Sequence, residues 1–424
     1  RQNITLVYDG EVRTVTPSDT LNSYAFKIEA DAKFTLKTSV DGQDDLLIID
    51  NKNIKPSSST STGFLTCAGT FTLEGGTLKN SNTECAWSGS IVISGENADF
   101  TMSGGLITSN TLDNQYSGII LIDQSADFTM TGGVISHNTS RDISAGIVYV
   151  TGGASFNMQN GSIEQNETKL SVICIRAKSG NSSFQMSGGS ISNNLGTYGG
   201  VYLGEHISPD YQSIASMTMN GGVISNNTAS VYGGGVLSIG PASFTMNSGE
   251  IVNNTATIGG GVVAYDLYYD KGGNGKYDIE TWENFFPAAF TMNGGTISGN
   301  KAIYGDTKDG GCGGGIYVGS NNVTLSAGNI TNNTAERQGG GIYVGSVPYV
   351  LKMYDAVITQ NTASVLGGGV WLCPTGDASN LVTNGGAIFG NTAGEGGAGD
   401  DLVAVPQDDK DHFVTLADRI LGGG

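Results

Sequence analysis

The chain has 424 residues, with 66 glycines, 8 prolines and only 14% charged residues. The glycines follow no Gly-X-Y period, which excludes collagen, and their number fits an all-β fold with many turns. The formal charge of −19 makes nucleic acid and anionic membranes poor partners, because both bind a basic face. No apolar run approaches the roughly 20 residues of a membrane helix, so we expect no membrane insertion.

Residues 1–30 lack the repeat that characterises most of the chain. The alternating stretch ITLVYDGEVRTV predicts a hairpin that turns at Asp9 and Gly10. We interpret residues 1–30 as an N-terminal cap, since a solenoid must cover its first open rung. Cys67 and Cys85 follow about one short coil apart, and either free thiols or a disulfide would fit.

An isoleucine followed three residues later by asparagine then recurs, with several neighbouring copies about 28 residues apart. Such a period is typical of stacked structural repeats. The asparagines are expected to stack along one turn, to bond to the backbone of adjacent coils and to tolerate left-handed backbone. The pairs are Ile107/Asn110, Ile135/Asn138, Ile163/Asn166, Ile191/Asn194, Ile224/Asn227, Ile251/Asn254, Ile297/Asn300, Ile330/Asn333, Ile358/Asn361 and Ile388/Asn391.

Each coil contains three short strand positions. The first reads FTM with inward Phe and Met, the second contains the repeated isoleucine, and the third reads GGGIYV, as at 314–318. Period-two alternation in three to five residues indicates strands rather than helices. We therefore predict a single right-handed parallel β-helix, a three-sheet solenoid over residues 31–400, whose coils stack about 4.8 Å apart. Residues 401–424 are expected to close the last coil.

Insertions at 204–215, 265–287 and 304–312 interrupt the repeat, and function in a solenoid is expected on such loops. They flank the third strand, so we expect them to wall a groove on its sheet. Aromatic rings that point outward beside acidic loops suit sugars, whose C–H faces stack on them. The alternative is that aromatics only shield the β ladder. The outward middle residues of the third strands are Tyr202, Leu237, Val263, Tyr317, Tyr343 and Trp371.

Asp306 and Asp309 are the predicted catalytic residues. Glycoside hydrolysis needs two carboxyl groups, about 5–5.5 Å apart for retention and roughly 6.5–9.5 Å for inversion, and a tight glycine-rich insertion allows either distance. The alternative is that both are ordinary turn residues. The predicted substrate-binding residues are Tyr202, Asp266, Asp270, Tyr317, Tyr343, Trp371 and Asp377.

The segment DKGGNGKYDIET at 270–281 has features of a calcium loop. Asp270, Asn274 and Asp278 occupy positions 1, 5 and 9 of an EF-hand-like pattern, but Thr281 stands where the bidentate glutamate belongs. A weak structural calcium site and a polar turn both fit, and no cofactor is required.

The repeats FTMNGGVISNNTASVYGGGV, FTMSGGLITSN and GGAIFGNTAG resemble right-handed parallel β-helix proteins of bacterial surfaces, with polymorphic outer-membrane-protein-like repeats. Among enzymes, the chain is similar to the β-helix lacto-N-biosidases. The resemblance implies an extracellular or surface-attached bacterial protein. From the enzyme family it also implies an aspartate pair as catalytic acid and nucleophile.

We therefore predict an extracellular, monomeric glycoside hydrolase that releases a sugar or disaccharide from milk- or mucin-type β-linked glycans of oligosaccharides or glycoproteins. The alternative is a non-catalytic surface adhesin that binds glycan or host protein, because the same repeat serves both classes. A polysaccharide lyase is disfavoured, since an acidic surface repels an anionic substrate unless calcium bridges the two.

Overall fold

The computed structural model describes residues 3–7, 13–18, 23–38, 47–53, 61–86, 88–113, 117–141, 143–144, 146–204, 213–268, 285–345, 351–373, 380–382, 386–394, 399–404 and 414–416. Within these ranges every regular element is a β-strand, and the fold is an all-β parallel solenoid of about 11 turns. Its described part contains no helix that is long and apolar enough to cross a membrane. The chain divides into two compact units, Arg1–Val201 and Tyr202–Gly424.

The strands of the first unit belong to three sheets. Sheet A contains Asn3–Val7, Arg13–Val15, Lys33–Lys37, Leu47–Asp50, Thr70–Leu73, Thr77–Lys79, Asp99–Met102, Leu106–Thr108, Asp127–Met130, Val134–Ser136, Ser155–Met158, Ser162–Glu164, Ser183–Met186 and Ser190–Ser192. Sheet B contains Tyr24–Ile28, Gly63–Cys67, Ile91–Ser94, Gly118–Asp123, Gly146–Val150 and Ile173–Ile175. Sheet C contains Asn82–Thr83, Thr111–Leu112, Thr139–Ser140, Glu167–Thr168 and Leu195–Tyr198.

The second unit has the same three kinds of sheet. Sheet A contains Ala215–Ser225, Ala242–Val252, Ala288–Met292, Thr296–Ser298, Asn322–Thr331, Leu351–Thr359, Asn380–Val382, Ala387–Phe389 and Val414–Leu416. Sheet B contains Val201–Gly204, Val236–Ile239, Val262–Tyr265, Ile316–Gly319, Ile342–Val344, Val370–Leu372 and Leu402–Ala404. Sheet C contains Thr228–Tyr232, Thr255–Ala256, Lys301–Ala302, Thr334–Ala335, Thr362–Ala363 and Thr392–Ala393.

A typical coil has four strands rather than the three predicted. The FTM strand and the isoleucine strand both belong to sheet A, and the glycine-led strand belongs to sheet B. The additional strand lies directly after the repeated asparagine and builds sheet C, as at Thr255–Ala256. Most of the sheet C strands are too short for an alternation signal, which is why the sequence pattern did not reveal this sheet.

The core contains columns of identical side chains, because in-register parallel pairing places equivalent residues of successive coils side by side. Phe100 pairs with Phe128, and their ring centroids lie 4.5 Å apart. Phe156 and Phe184 repeat the contact at 4.8 Å. All four rings are fully buried, as are the methionines two residues later in the same strands. The predicted inward direction of Phe and Met is confirmed.

The repeated asparagines form buried ladders, as the sequence predicts. The Oδ1 atom of Asn333 accepts hydrogen bonds from the backbone N and from Nδ2 of Asn300, both at 3.0 Å. Its Nδ2 donates to the Ile297 carbonyl at 2.9 Å. The left-handed backbone belongs instead to the preceding residue, as at Asn332 with φ 55°. In the second unit Asp401 ends the ladder by accepting both bonds from Asn391.

The described strands near the chain ends pair in parallel like ordinary coils. Asn3–Val7 pairs with Lys33–Lys37, and Arg13–Val15 pairs with Leu47–Asp50. The predicted hairpin turn at Asp9 and Gly10 lies outside the described residues, so the N-terminal cap stays a prediction. At the other end, Val414–Leu416 pairs with the strand at 380–382. None of the five cysteines, which all lie in the described ranges, forms a disulfide, so Cys67 and Cys85 are not bridged.

Candidate functional site

The insertion predicted at 304–312 is a seven-residue loop, Tyr304 to Gly310. The backbone N of Ile303 bonds to Ala256 O, and the N of Gly311 bonds to Thr257 O, each at 2.8 Å. Since 256 and 257 are consecutive in the preceding coil, residues 304–310 are the extra ones. The loop leaves the solenoid just after sheet C and returns just before the triple glycine.

Two charged residues of the following coil hold this loop. A Glu336 oxygen accepts a hydrogen bond from Tyr304 N at 2.8 Å, and its other oxygen lies 2.7 Å from Lys301 Nζ. These contacts, first that with Lys301, lower the pKa of Glu336. Arg337 donates to the carbonyl of Lys308 at 2.5 Å. Sequence analysis did not single out Glu336 or Arg337. Both lie in the segment NNTAERQGGG, at the position in their coil that corresponds to the insertion in the preceding coil.

Asp309 is the one predicted catalytic residue that the structure connects to the predicted groove. Its Oδ2 accepts a hydrogen bond from the Tyr317 hydroxyl at 3.1 Å, and its side chain is half-buried. Burial, together with the nearby Asp309 carboxylate, raises the pKa of Tyr317 well above its ordinary value, so this hydroxyl stays protonated and donates. Asp306 lies three residues earlier in the same loop and is exposed.

The predicted row of outward side chains on sheet B exists, but these side chains are not exposed to solvent. Tyr317 pairs in register with Tyr343, and Tyr343 with Trp371; the two tyrosine rings stack with centroids 5.1 Å apart. These three side chains are only 4%, 6% and 5% exposed, and Tyr202 is 7% exposed. The expectation of exposed faces for stacking sugars was therefore wrong.

The triple glycines form a tight turn against the strand that carries the row. The first glycine of each run, which we call the arch glycine, lies against the outward residue four positions later. A Cβ on Gly259, which has φ 64°, would lie 2.2 Å from Val263 Cγ2. A Cβ on Gly313 or Gly339 would lie 3.1 Å or 2.8 Å from the Cα of Tyr317 or Tyr343, and a Cβ on Gly367 would lie 2.9 Å from the Cβ of Trp371. Glycine is required here, because φ is positive and an added Cβ would overlap the residue four positions later.

Asp266 does not lean over the groove, which corrects a second expectation. Its side chain is fully buried, and its Oδ1 accepts a hydrogen bond from Ala288 N at 2.7 Å. Leu267–Tyr268 pairs antiparallel with Phe285–Phe286, so Asp266 connects the two ends of the insertion at their base. Burial raises its pKa to about 6, against hydrogen bonds from Ser320, Ala288 and Asn321 that lower it.

The remaining predicted site residues, Asp270, Asn274, Asp278 and Asp377, lie outside the described residues. The calcium site therefore stays a prediction. In the described ranges no group of three or more His, Cys, Asp or Glu side chains could hold a metal ion.

The chain matches no protein-family model, and no curated protein or solved structure is significantly similar to it. The class of protein shown is therefore the parallel β-solenoid, defined by its own coils.

Proposed function

We propose that the protein is a glycoside hydrolase whose catalytic carboxylates are Asp309 and Asp306. The observation that carries the proposal is the hydrogen bond from Tyr317 to Asp309, on a loop that Glu336 and Arg337 hold in place. Catalytic groups must be fixed by surrounding contacts to act efficiently. Asp309 is oriented in this way, and Asp306 lies exposed on the same loop.

The two carboxyl groups would divide the work of hydrolysis. One donates a proton to the glycosidic oxygen as the leaving sugar departs. The other, ionised, either attacks the anomeric carbon or removes a proton from the attacking water. The Tyr317 hydroxyl donates to Asp309 Oδ2, and such a bond stabilises a carboxylate, so we assign Asp309 the role of nucleophile or base and Asp306 that of acid. The net result is addition of water across the bond, with no cofactor.

Neutral or weakly charged glycans suit this protein best, because its formal charge of −19 repels anionic polymers. We propose milk- or mucin-type β-linked glycans as substrates, with release of a sugar or disaccharide as in lacto-N-biosidases. We further propose that the protein acts outside a bacterial cell or on its surface, as a monomer. The proposal is supported by the resemblance of the repeat sequences to those of lacto-N-biosidases and by the loop that carries the two aspartates.

The test is sugar release from a panel of milk and mucin oligosaccharides. Asp309→Asn and Asp306→Asn are each expected to lower kcat by about 100-fold or more, since positioned acid–base groups contribute 10²–10⁴-fold. Asp355→Asn, an exposed aspartate on a sheet A strand, is the matched control and should retain activity. Hydrolysis that survives in both loop variants would refute the assignment.

The covered aromatic row favours a second candidate, a non-catalytic adhesin. A row of buried rings stabilises the solenoid without needing a substrate, and a repetitive polar surface binds partners without chemistry. In that case no oligosaccharide would be cleaved, and the wild type would be retained on a glycan array or on host protein. Retention would be the same for Asp309→Asn.

A further inference from the structure

Tyr304 is an exposed aromatic residue at the start of the loop that carries Asp306 and Asp309. Its side chain is 59% exposed, and among the described residues the only other exposed aromatic side chain is Phe389, at 42%. Every other described Phe, Tyr and Trp side chain is buried or partly buried. The solenoid gains little from a ring at this position, because residues 304–310 are additional to the coil and most of the ring stays in contact with water.

The backbone that carries this ring is fixed on both sides. Tyr304 N donates to one oxygen of Glu336 at 2.8 Å, and the other oxygen of Glu336 lies 2.7 Å from Lys301 Nζ. The next residue, Gly305, lies so close to the preceding coil that a Cβ there would be 2.6 Å from Thr257 Cγ2. A ligand that binds the ring therefore loses little free energy to ordering of the loop.

The position of the ring beside the two aspartates restricts what it can bind. Tyr304 precedes Asp306, the proposed acid, by two residues, so their Cα atoms are at most about 7 Å apart. A phenol ring has a flat apolar face and a polar edge. A sugar ring matches this surface, because its C–H groups form an apolar face while its hydroxyls bond to water or to carboxylates.

We propose that Tyr304 is the sugar-stacking residue of this site, with the apolar face of a substrate pyranose packed on its exposed ring. The inference rests on the proposed glycoside hydrolase and adds a substrate-binding residue to it. It assigns to Tyr304 the stacking that the buried side chains of Tyr317, Tyr343 and Trp371 do not offer.

The test compares Tyr304→Ala and Tyr304→Phe on the oligosaccharide that the wild type cleaves best. Glu336 holds the backbone N of residue 304 and not its side chain, so both variants keep this anchor of the loop. Tyr304→Ala should raise KM about tenfold, the equivalent of about 1.4 kcal/mol. Its kcat should change less than about twofold, because stacking that is equal in the ground state and the transition state affects KM alone. Tyr304→Phe keeps the ring and should stay within about twofold of the wild type in both constants.

Phe389→Ala is the matched control, because Phe389 is also exposed but lies on the sheet A strand Ala387–Phe389. It should leave KM and kcat unchanged. Thermal unfolding of Tyr304→Ala should match that of the wild type, since substitution of an exposed side chain has little effect on stability.

An unchanged KM in Tyr304→Ala, or a rise in KM that Tyr304→Phe shares, would overturn the stacking role and leave the hydrolase standing. If the wild type cleaves no oligosaccharide, retention on a glycan array decides. Retention that is lost in Tyr304→Ala but kept in Tyr304→Phe and Phe389→Ala would refute the enzyme and keep the stacking residue. Retention that survives in Tyr304→Ala, or a wild type that no glycan retains, would overturn the stacking residue as well.

Discussion

At the scale of single residues, burial decides what the acidic side chains do. Asp306, Asp309 and Asp266 all lie in predicted insertions, and all three were expected to act in one groove. In the structure they are exposed, half-buried and fully buried, respectively. Charge is costly to bury, so the same side chain changes from a surface carboxylate to a group with a raised pKa.

Asp266 should make stability depend on pH. Its pKa of about 6 lies above the ordinary 3.8, so the folded state binds this proton more tightly than the unfolded state. The resulting stabilisation is complete below about pH 4 and is lost as pH rises through about pH 6. The difference between the two pKa values corresponds to at most about 3 kcal/mol.

Asp266→Asn keeps an acceptor for Ala288 N and cannot ionise. Its midpoint of urea unfolding should therefore fall less than that of the wild type between about pH 5 and about pH 7.5. Asp355→Asn, at an exposed position, should follow the wild type. Parallel pH profiles for the wild type and Asp266→Asn would contradict the assignment.

At the scale of elements, the glycine arches set how close the chain comes to sheet B. Gly259 and Gly390 share the same backbone φ of 64°. An alanine at either position should therefore lose the same free energy of folding to the left-handed backbone. They differ in space: a Cβ at 259 meets Val263 at 2.2 Å, whereas at 390 the nearest atom lies 3.6 Å away.

The pair therefore separates backbone strain from overpacking. Gly390→Ala should cost about 1–2 kcal/mol, the left-handed penalty alone. Gly259→Ala should cost a further 1–3 kcal/mol or so, because the arch must move off the row. Thermal unfolding followed by circular dichroism measures both. Equal losses of Tm would show that the arch tolerates a side chain.

At the scale of the whole molecule, stability comes from coupling between neighbouring coils, as in other solenoids. The asparagine ladder is one such coupling within the second unit. Asn333 alone satisfies two groups of Asn300 and the carbonyl of Ile297, and none of these has access to water. Removing the side-chain amide of Asn333 therefore breaks hydrogen bonds between its own coil and the preceding one.

Asn333→Ala should cost roughly 3 kcal/mol or more, because it strands several buried polar groups at about 1–3 kcal/mol each. Hydrogen exchange should accelerate at the amide of Asn300, which loses its acceptor. Asn332→Gly is the neighbouring control: Asn332 is exposed at φ 55°, so glycine fits with little loss. Exchange that stays slow at Asn300 would mean that the ladder amide contributes little.

Much of this organisation was predictable from local patterns. The Ile-x-x-Asn spacing predicted the ladder, and FTM predicted the inward columns of Phe and Met. Both signals recur through most of the chain and concern residues whose environment is made by their own repeat. The strands of sheet C escaped notice because most have only two residues. Asp401 escaped notice because it takes the place of an asparagine from outside the repeat register.

The site was harder to predict, because it depends on contacts between different coils. The register placed Tyr317, Tyr343 and Trp371 in one row correctly, yet the spacing could not show that all three side chains are buried. Glu336 and Arg337 acquire their importance only from the insertion of the preceding coil. The glycine-rich spacing around Asp306 and Asp309 indicated a loop. It did not indicate which of the two aspartates would be held by a hydrogen bond.

By itself, the sequence determined the parallel solenoid, its asparagine ladder and the loop that carries Asp306 and Asp309, since a repeated pattern specifies a repeated structure. Only the tertiary structure decided that the aromatic row is covered, that Asp266 is buried at the base of its insertion, and that Asp309 meets Tyr317. The physical reason is that burial and hydrogen-bond partners are properties of packed surfaces, and a linear pattern states which residues face a surface but not what covers it.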